Sequence, residues 1–312
     1  MIYTKKEDGV KSEAMDGHEK YTLVNVCGVG RSGTTMVDLI LGNGADAFSC
    51  GEVYAWFRPY RTHHFRIRCS CGKDPCPIWE KIKDGPEENF HLDAFSKLNL
   101  KYLIDSSKEI CWVIDANKWC QSSGIRVHNL LLWKDPISLA YSFWKRGHGP
   151  SFWRERFVEY YEQFFSVGLS YLAMNFNEFI ANPRKKLTDV CAALGMPYFA
   201  GKEEFWQGEY HHLFGSLGTR RQVESRKSFL RLERFQPEFE GQIGLVNEQM
   251  AQDSSVLDII QELSDNEVSR AKDAKCNQES FGPPKKLPLW YYTKAVKRKI
   301  RKYFPQRWDH IQ

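Results

Sequence analysis

The spacing of apolar positions alternates between two periods along the first half of this chain. Tyr21 to Val26, YTLVNV, is a short run rich in β-branched residues, and a glycine turn follows it at once. Such a run predicts a buried parallel strand. From Thr35 to Leu41, TMVDLIL, the residues Met36, Leu39 and Ile40 recur at helical spacing, and Gly42, Asn43 and Gly44 supply a stop. The unit is therefore strand, glycine loop, helix. It recurs twice. Leu100 to Lys108, LKYLIDSSK, is a strand ending in a polar turn, and the helical stretch after it runs through Trp119 until Gly124 closes it. Val127 to Trp133, VHNLLLW, is the next apolar run, and Lys134-Asp135-Pro136 starts a helix with aspartate at the cap, proline in the first turn and Gly147 as its stop.

Strands alternating with helices are the signature of an α/β sheet built from crossover units. The second half is mainly helical, with an aromatic-rich segment from Phe152 to Phe165 and a helix from Lys185 to Leu194 that ends at Gly195. No internal repeat interrupts this order. Ligand sites in open sheets lie at the carboxyl ends of strands, and all three polar turns fall there.

Composition narrows the function classes. With 312 residues and 42% hydrophobic content the chain can bury a substantial core. A net charge of +5 and an isoelectric point near 8.6 suit an anionic ligand but fall short of a protein that coats nucleic acid. Nine cysteines are an odd number for a disulfide framework, which favours a reducing compartment. The polar first twenty residues lack the apolar core of a secretory signal, and no run reaches the ~18 apolar residues of a membrane span. The expectation is a cytoplasmic protein. Lys285 to Trp308 interleaves basic residues with aromatics, so it reads either as a helix that covers the domain or as a basic amphipathic helix resting peripherally on an anionic membrane.

The glycine turn carries the first chemistry. In VCGVGRSGTT, Gly28 and Gly33 have the spacing of a phosphate-binding loop, and the following helix start offers N–H groups and a positive dipole end to an anion. A nucleoside triphosphatase places lysine next, to grip the triphosphate tail. Here Thr34 and Thr35 stand there, and the cation is Arg31, inside the loop. A ligand with a single 5′-phosphate group needs that cradle and no magnesium-linked grip.

These residues resemble sulfotransferases that use 3′-phosphoadenosine 5′-phosphosulfate. GRSGTT, Gly30 to Thr35, is similar to their 5′-phosphosulfate loop, which implies donor contacts from Gly30, Arg31, Ser32, Gly33, Thr34 and Thr35. WKDPISLAYSFWKRG, Trp133 to Gly147, resembles the 3′-phosphate segment, where a basic residue and a serine eight positions later hold the phosphate; Lys134 and Ser142 have that spacing. Lysine stands where arginine is usual, which keeps the charge, loses the bidentate fork and implies weaker 3′-phosphate affinity. SCGEVYAWF carries Glu52 where the family has a catalytic glutamate, and IDSSK carries Lys108 where a lysine faces the leaving oxygen. NEFIANPRKKLTDVCAALGMP and HHLFGSLGTRR resemble the late acidic segment and the closing loop, the latter bringing Arg220 back to the nucleotide. The resemblance covers Tyr21 to Arg221. It implies a P-loop-type α/β fold of three layers, with a central, mostly parallel sheet flanked by helices and a helical second half. The implied units are a polar tail at 1–20, a sulfotransferase domain at 21–284 and the basic aromatic segment at 285–312.

The implied reaction is in-line transfer of a sulfuryl group to a hydroxyl of a carbohydrate, glycolipid, phenol or other small acceptor. Glu52 takes the acceptor's proton, aided by the aromatic neighbours Tyr54, Trp56 and Phe57, while Lys108 stabilises the leaving oxygen. His63, His64 and His148 are alternative bases. No metal is required, and nucleic acid is not a partner. A noncatalytic adenine-nucleotide-binding module and a small-molecule kinase stand as alternatives; the absent lysine after Gly33 counts against the kinase. CSCGKDPC, Cys69 to Cys76, reads as reduced thiols in a tight loop or as a zinc site completed by His63 or His64. C-x-C-x4-C lacks the second pair of a common zinc motif, which favours the thiols.

Overall fold

The computed structural model describes residues 21–65, 69–227, 234–270 and 287–294. Strand β1, Thr22–Cys27, is buried along its whole length, and helix α1, Thr34–Leu41, follows the glycine turn. Next come β2, Ala47–Gly51, and the short helices α2, Val53–Phe57, and α3, Pro77–Ile82. Helix α4, Phe90–Leu98, leads into β3, Tyr102–Asp105, and α5, Ile110–Ser122, into β4, Arg126–Trp133. Helices α6, Pro136–Trp144, and α7, Phe152–Phe165, precede β5, Leu172–Asn175. The remaining helices are α8, Phe176–Ala181, α9, Pro183–Leu194, α10, Leu217–Ser225, α11, Pro237–Glu240, α12, Ile243–Gln252, and α13, Ser254–Asp265.

The five strands form one parallel sheet in the order β2-β3-β1-β4-β5, so the first strand lies in the middle. Successive residues of β1 face opposite sides, as the pleat requires. Val24 and Val26 pack with Leu39 of α1, Phe179 of α8 and Val190 of α9. On the other side Cys27 joins a cluster with Val113 of α5, Leu139 of α6, Trp153 of α7 and Ile259 of α13, and Leu23 joins an aromatic cluster with Trp79, Phe90 and Trp112. Burial on both faces is why β1 reads as a continuous apolar run. This is the expected α/β architecture of three layers, a parallel sheet between helices.

Local departures have local causes. Asp135 occupies the position before α6 but its side chain makes no cap; it accepts a hydrogen bond from Asn175 Nδ2 at 2.7 Å, tying β4 to β5. Helix α9 begins at Pro183, two residues before the expected start, because the Asn182 side chain accepts from the Lys185 amide. Of the carboxyl-terminal segment, Leu287 and Trp290 pack against the core, and the buried Tyr291 hydroxyl donates to Asp115. Those residues cover the domain; residues 285–286 and 295–308 of the basic segment, like the 1–20 tail, lie outside the described residues. Among the described residues no helix is long and apolar enough to cross a membrane.

Candidate active site

The carboxyl ends of β1, β2, β3 and β4 open onto one cleft of about 2450 Å³. Gly30, Arg31, Gly33, Thr34 and Thr35 line it from the glycine turn, Glu52 from beyond β2 and Lys108 from beyond β3. Lys134 and Ser142 face it from beyond β4, and Arg220 from α10. Segments spread over nearly two hundred residues thus meet at one edge, as the sequence predicts. Ser32 is the exception. Its side chain is fully buried under the turn, and its amide donates to the Val29 carbonyl at 3.1 Å, so it serves the turn's own structure.

Two glycines in the turn are there for space as much as for conformation. At Gly28 a Cβ would lie 2.4 Å from the Leu132 carbonyl oxygen, and at Gly33 it would lie 2.2 Å from the Phe176 ring. Both also have positive φ, 145° and 95°. Arg31 takes a left-handed φ of 82° without being glycine, and Lys108 does so at 63°. Strained backbone of this kind persists only where its surroundings over-determine it. Tyr160 of α7 supplies part of that constraint: its hydroxyl accepts from the Gly28 amide at 2.9 Å and donates to the Lys108 carbonyl at 2.9 Å. Nothing in the aromatic pattern of α7 marks Tyr160 out in the sequence.

Charge in the cleft is one-sided. Ten lysine and arginine side chains among the described residues line it, against the single carboxylate of Glu52. Lys108 Nζ donates to Glu52 Oε1 at 2.5 Å and to the Ser106 carbonyl at 2.8 Å, and both side chains are less than a fifth exposed. The Glu52 amide donates to the Leu213 carbonyl at 3.0 Å, and the Tyr54 amide to Ser107 Oγ at 3.0 Å, so the base of each side chain is fixed. None of the three expected aromatic neighbours lines the cleft: Tyr54, Trp56 and Phe57 all turn into the cluster with Trp79, Phe90 and Trp112. Tyr60 shares the cleft wall with Glu52 in their place, together with His63 and His64.

A buried polar layer holds the strand ends from beneath. Ser106 Oγ donates to Asp38 Oδ2 at 2.5 Å, and Ser49 Oγ lies 2.7 Å from His212 Nδ1. Burial pushes the Asp38 carboxyl up to about 7, partly offset by hydrogen bonds from Ser106 and Ser49. Burial also pushes His212 down to about 3, with Arg220 and Lys108 adding to the effect, so its imidazole is neutral. On the far side of the cleft, Lys134 Nζ sits 4.7 Å from the Phe176 ring centroid, and Ser142 Oγ donates to the Ser138 carbonyl at 3.0 Å. Asn177 orders that wall by accepting from the Asp135 amide and donating to Ser138 Oγ. Thr35 Oγ1 accepts from the Ser216 amide at 3.0 Å, which leaves its hydroxyl hydrogen to donate to a ligand.

Three of the cysteines gather away from the cleft. Cys69, Cys71 and Cys76 meet His211, while His63 and His64, the partners suggested by nearness in sequence, line the cleft instead.

The chain is similar in structure to the sulfotransferase domain from the curacin biosynthetic pathway, with a TM-score of 0.50 at 14% identity over 78% of this chain and 98% of that one. The likeness is one of fold, a parallel sheet between layers of helices. Also similar are the sulfotransferase domain of the Synechococcus PCC 7002 olefin synthase, with a TM-score of 0.44, 15% identity and coverage of 76% and 97%, and the sulfotransferase STF9 from Mycobacterium avium, with 0.35, 10%, 76% and 77%. No protein-family profile matches the sequence, and no curated protein does. The cleft described above lies where open α/β sheets bind their ligands.

Proposed function

We propose that this protein is a sulfotransferase that moves a sulfuryl group from 3′-phosphoadenosine 5′-phosphosulfate to a hydroxyl of a small molecule or glycan. The observation that carries the reading is the Glu52–Lys108 pair: the one carboxylate that lines a cationic cleft among the described residues lies 2.5 Å from an ammonium, facing a glycine turn that suits one phosphate. One transferring group can touch both side chains at once.

The residue roles follow from the chemistry. Gly33, Thr34 and Thr35 stand where a helix leaves its N–H groups unpaired, and with Arg31 they hold the 5′-phosphosulfate. Lys134 and Ser142 hold the 3′-phosphate, Ser142 by turning its hydroxyl away from Ser138. Arg220 adds charge from the closing segment. In the transfer, the acceptor oxygen bonds to sulfur as the bond from sulfur to the bridging oxygen breaks, and that electron pair stays on the 5′-phosphate. The acceptor's proton passes to Glu52, and Lys108 stabilises the charge that builds on the bridging oxygen. Positioning and electrostatics supply most of the rate, as in phosphoryl transfer.

Calorimetry with adenosine 3′,5′-bisphosphate, followed by transfer of label from the sulfuryl donor into an extract of the protein's own source, tests the reading. Binding of the bisphosphate and a labelled acceptor are expected. No heat of association ends the donor assignment; binding without any labelled product leaves the chain a nucleotide-binding module.

A further inference from the structure

The cysteine cluster sits outside the cleft and takes no part in the transfer described above. Cys69 and Cys71 lie on a turn, Cys76 stands at the entry to α3, and His211 belongs to the segment that follows α9. Their three sulfurs and one imidazole nitrogen all lie within 4.8 Å of one another. His211 Nδ1 is 3.2 Å from Cys76 Sγ and 3.7 Å from Cys69 Sγ. A tetrahedral zinc ion with bonds of ~2.3 Å to sulfur and ~2.0 Å to nitrogen sets its ligands roughly 3.5 to 3.8 Å apart. The cluster is close to that size before any ion draws it in.

The convergence is built by the surrounding backbone. Ser70, between two of the cysteines, donates its hydroxyl to the Tyr210 carbonyl at 2.6 Å, accepts from the His212 amide at 3.0 Å, and donates its own amide to the His212 carbonyl at 3.0 Å. Trp79 Nε1 donates to the His211 carbonyl at 2.6 Å, and Cys69 pairs antiparallel with Leu213. The ligand residue His211 is therefore locked on both sides and at its own carbonyl. Reduced thiols packing as small hydrophobes need no imidazole nitrogen among them, and a disulfide would use two of the sulfurs and strand the third. Three thiolates and an imidazole, all from the protein, make a closed site of the structural zinc kind.

We infer that Cys69, Cys71, Cys76 and His211 bind one zinc ion that clamps the segment 211–216 to the cysteine turn. On binding, the three thiols release their protons to solvent and the neutral imidazole donates from Nδ1. The clamp has a target. Beyond His211, the Leu213 amide donates to the Cys50 carbonyl, the Leu213 carbonyl accepts from the Glu52 amide, and the Ser216 amide donates to Thr35 Oγ1. The ion thus anchors one end of a strap whose other end touches both the catalytic carboxylate's backbone and the phosphate-binding turn. Its role is positioning, and all four of its bonds go to protein.

Metal analysis of the full-length chain, made in zinc-supplemented medium and desalted under reducing conditions, is expected to give one zinc per chain. Replacing the metal with cobalt should give the visible bands of a tetrahedral ion and near-ultraviolet thiolate-to-cobalt absorption. C76S and H211A should lose most of the metal, H211C should recover it as a four-thiolate site, and the double variant H63A/H64A should retain it in full. The metal count needs no nucleotide, so it stands or falls apart from the donor assignment. A wild-type chain that carries no zinc and takes up none from solution overturns the inference, as does retention of zinc by H211A or a disulfide among these cysteines in protein prepared without reductant.

Discussion

Glu52 and Lys108 leave separate strands, 56 positions apart in sequence, and meet at a single hydrogen bond. That closeness makes their roles separable by experiment. E52Q and K108A should each lower kcat by roughly 10²- to 10⁴-fold, the range of a lost general base or of lost charge stabilisation, with little change in binding of adenosine 3′,5′-bisphosphate by calorimetry. Near-normal turnover in either variant would remove that residue from the chemistry. Lys134 offers a gain instead of a loss. Its ammonium lies against the Phe176 ring, a position that a guanidinium can also occupy while presenting two parallel donors. K134R should therefore bind the bisphosphate at least as tightly as the native chain; weaker binding would show that this side chain does not reach the 3′-phosphate.

At the scale of elements, the glycine turn is the part whose geometry tolerates least. G33A puts a methyl into the Phe176 ring and forces a left-handed φ on alanine, so urea unfolding should show a loss of about 1–3 kcal/mol, and nucleotide binding should fall with it. An unchanged midpoint would mean that the turn relaxes freely. This turn, β1, α1 and β4 were legible because period and glycine spacing coincide there. Strands β2 and β5 were not: AFSCG and LAMN are short and have no β-branched residue, and they become strands only through pairing with β3 and β4. Lys134 and Ser142, which line the cleft, were singled out by the resemblance of Trp133 to Gly147 to a 3′-phosphate segment. Tyr160, Asn177 and His211 were not, because their contacts reach between 39 and 135 residues along the chain, which periodicity does not record.

Over the whole molecule, charge and proton linkage set the response to conditions. The excess of cations in the cleft means that bisphosphate affinity should fall as salt is raised, since screening weakens attraction at a solvent-open site. Calorimetry at two ionic strengths checks this, and equal affinities would rule out an electrostatic cleft. His128 in β4 is pushed down to about 4 by burial, with Arg126 adding to the effect. A folded value below the ordinary 6.5 means that its contribution to stability is complete above about 6.5 and is lost as pH falls toward 4, at no more than ~1.4 kcal/mol per pH unit. H128N should flatten the dependence of unfolding free energy on pH in that window; identical slopes would place the effect elsewhere.

The central place of β1 also bears on how the chain is made. Its partners begin at Tyr102 and Arg126, so a ribosome must synthesise about 80 further residues before the first neighbour exists. At ~5–20 residues per second, the water-averse hexapeptide TLVNVC stays unpaired for roughly 4–16 s.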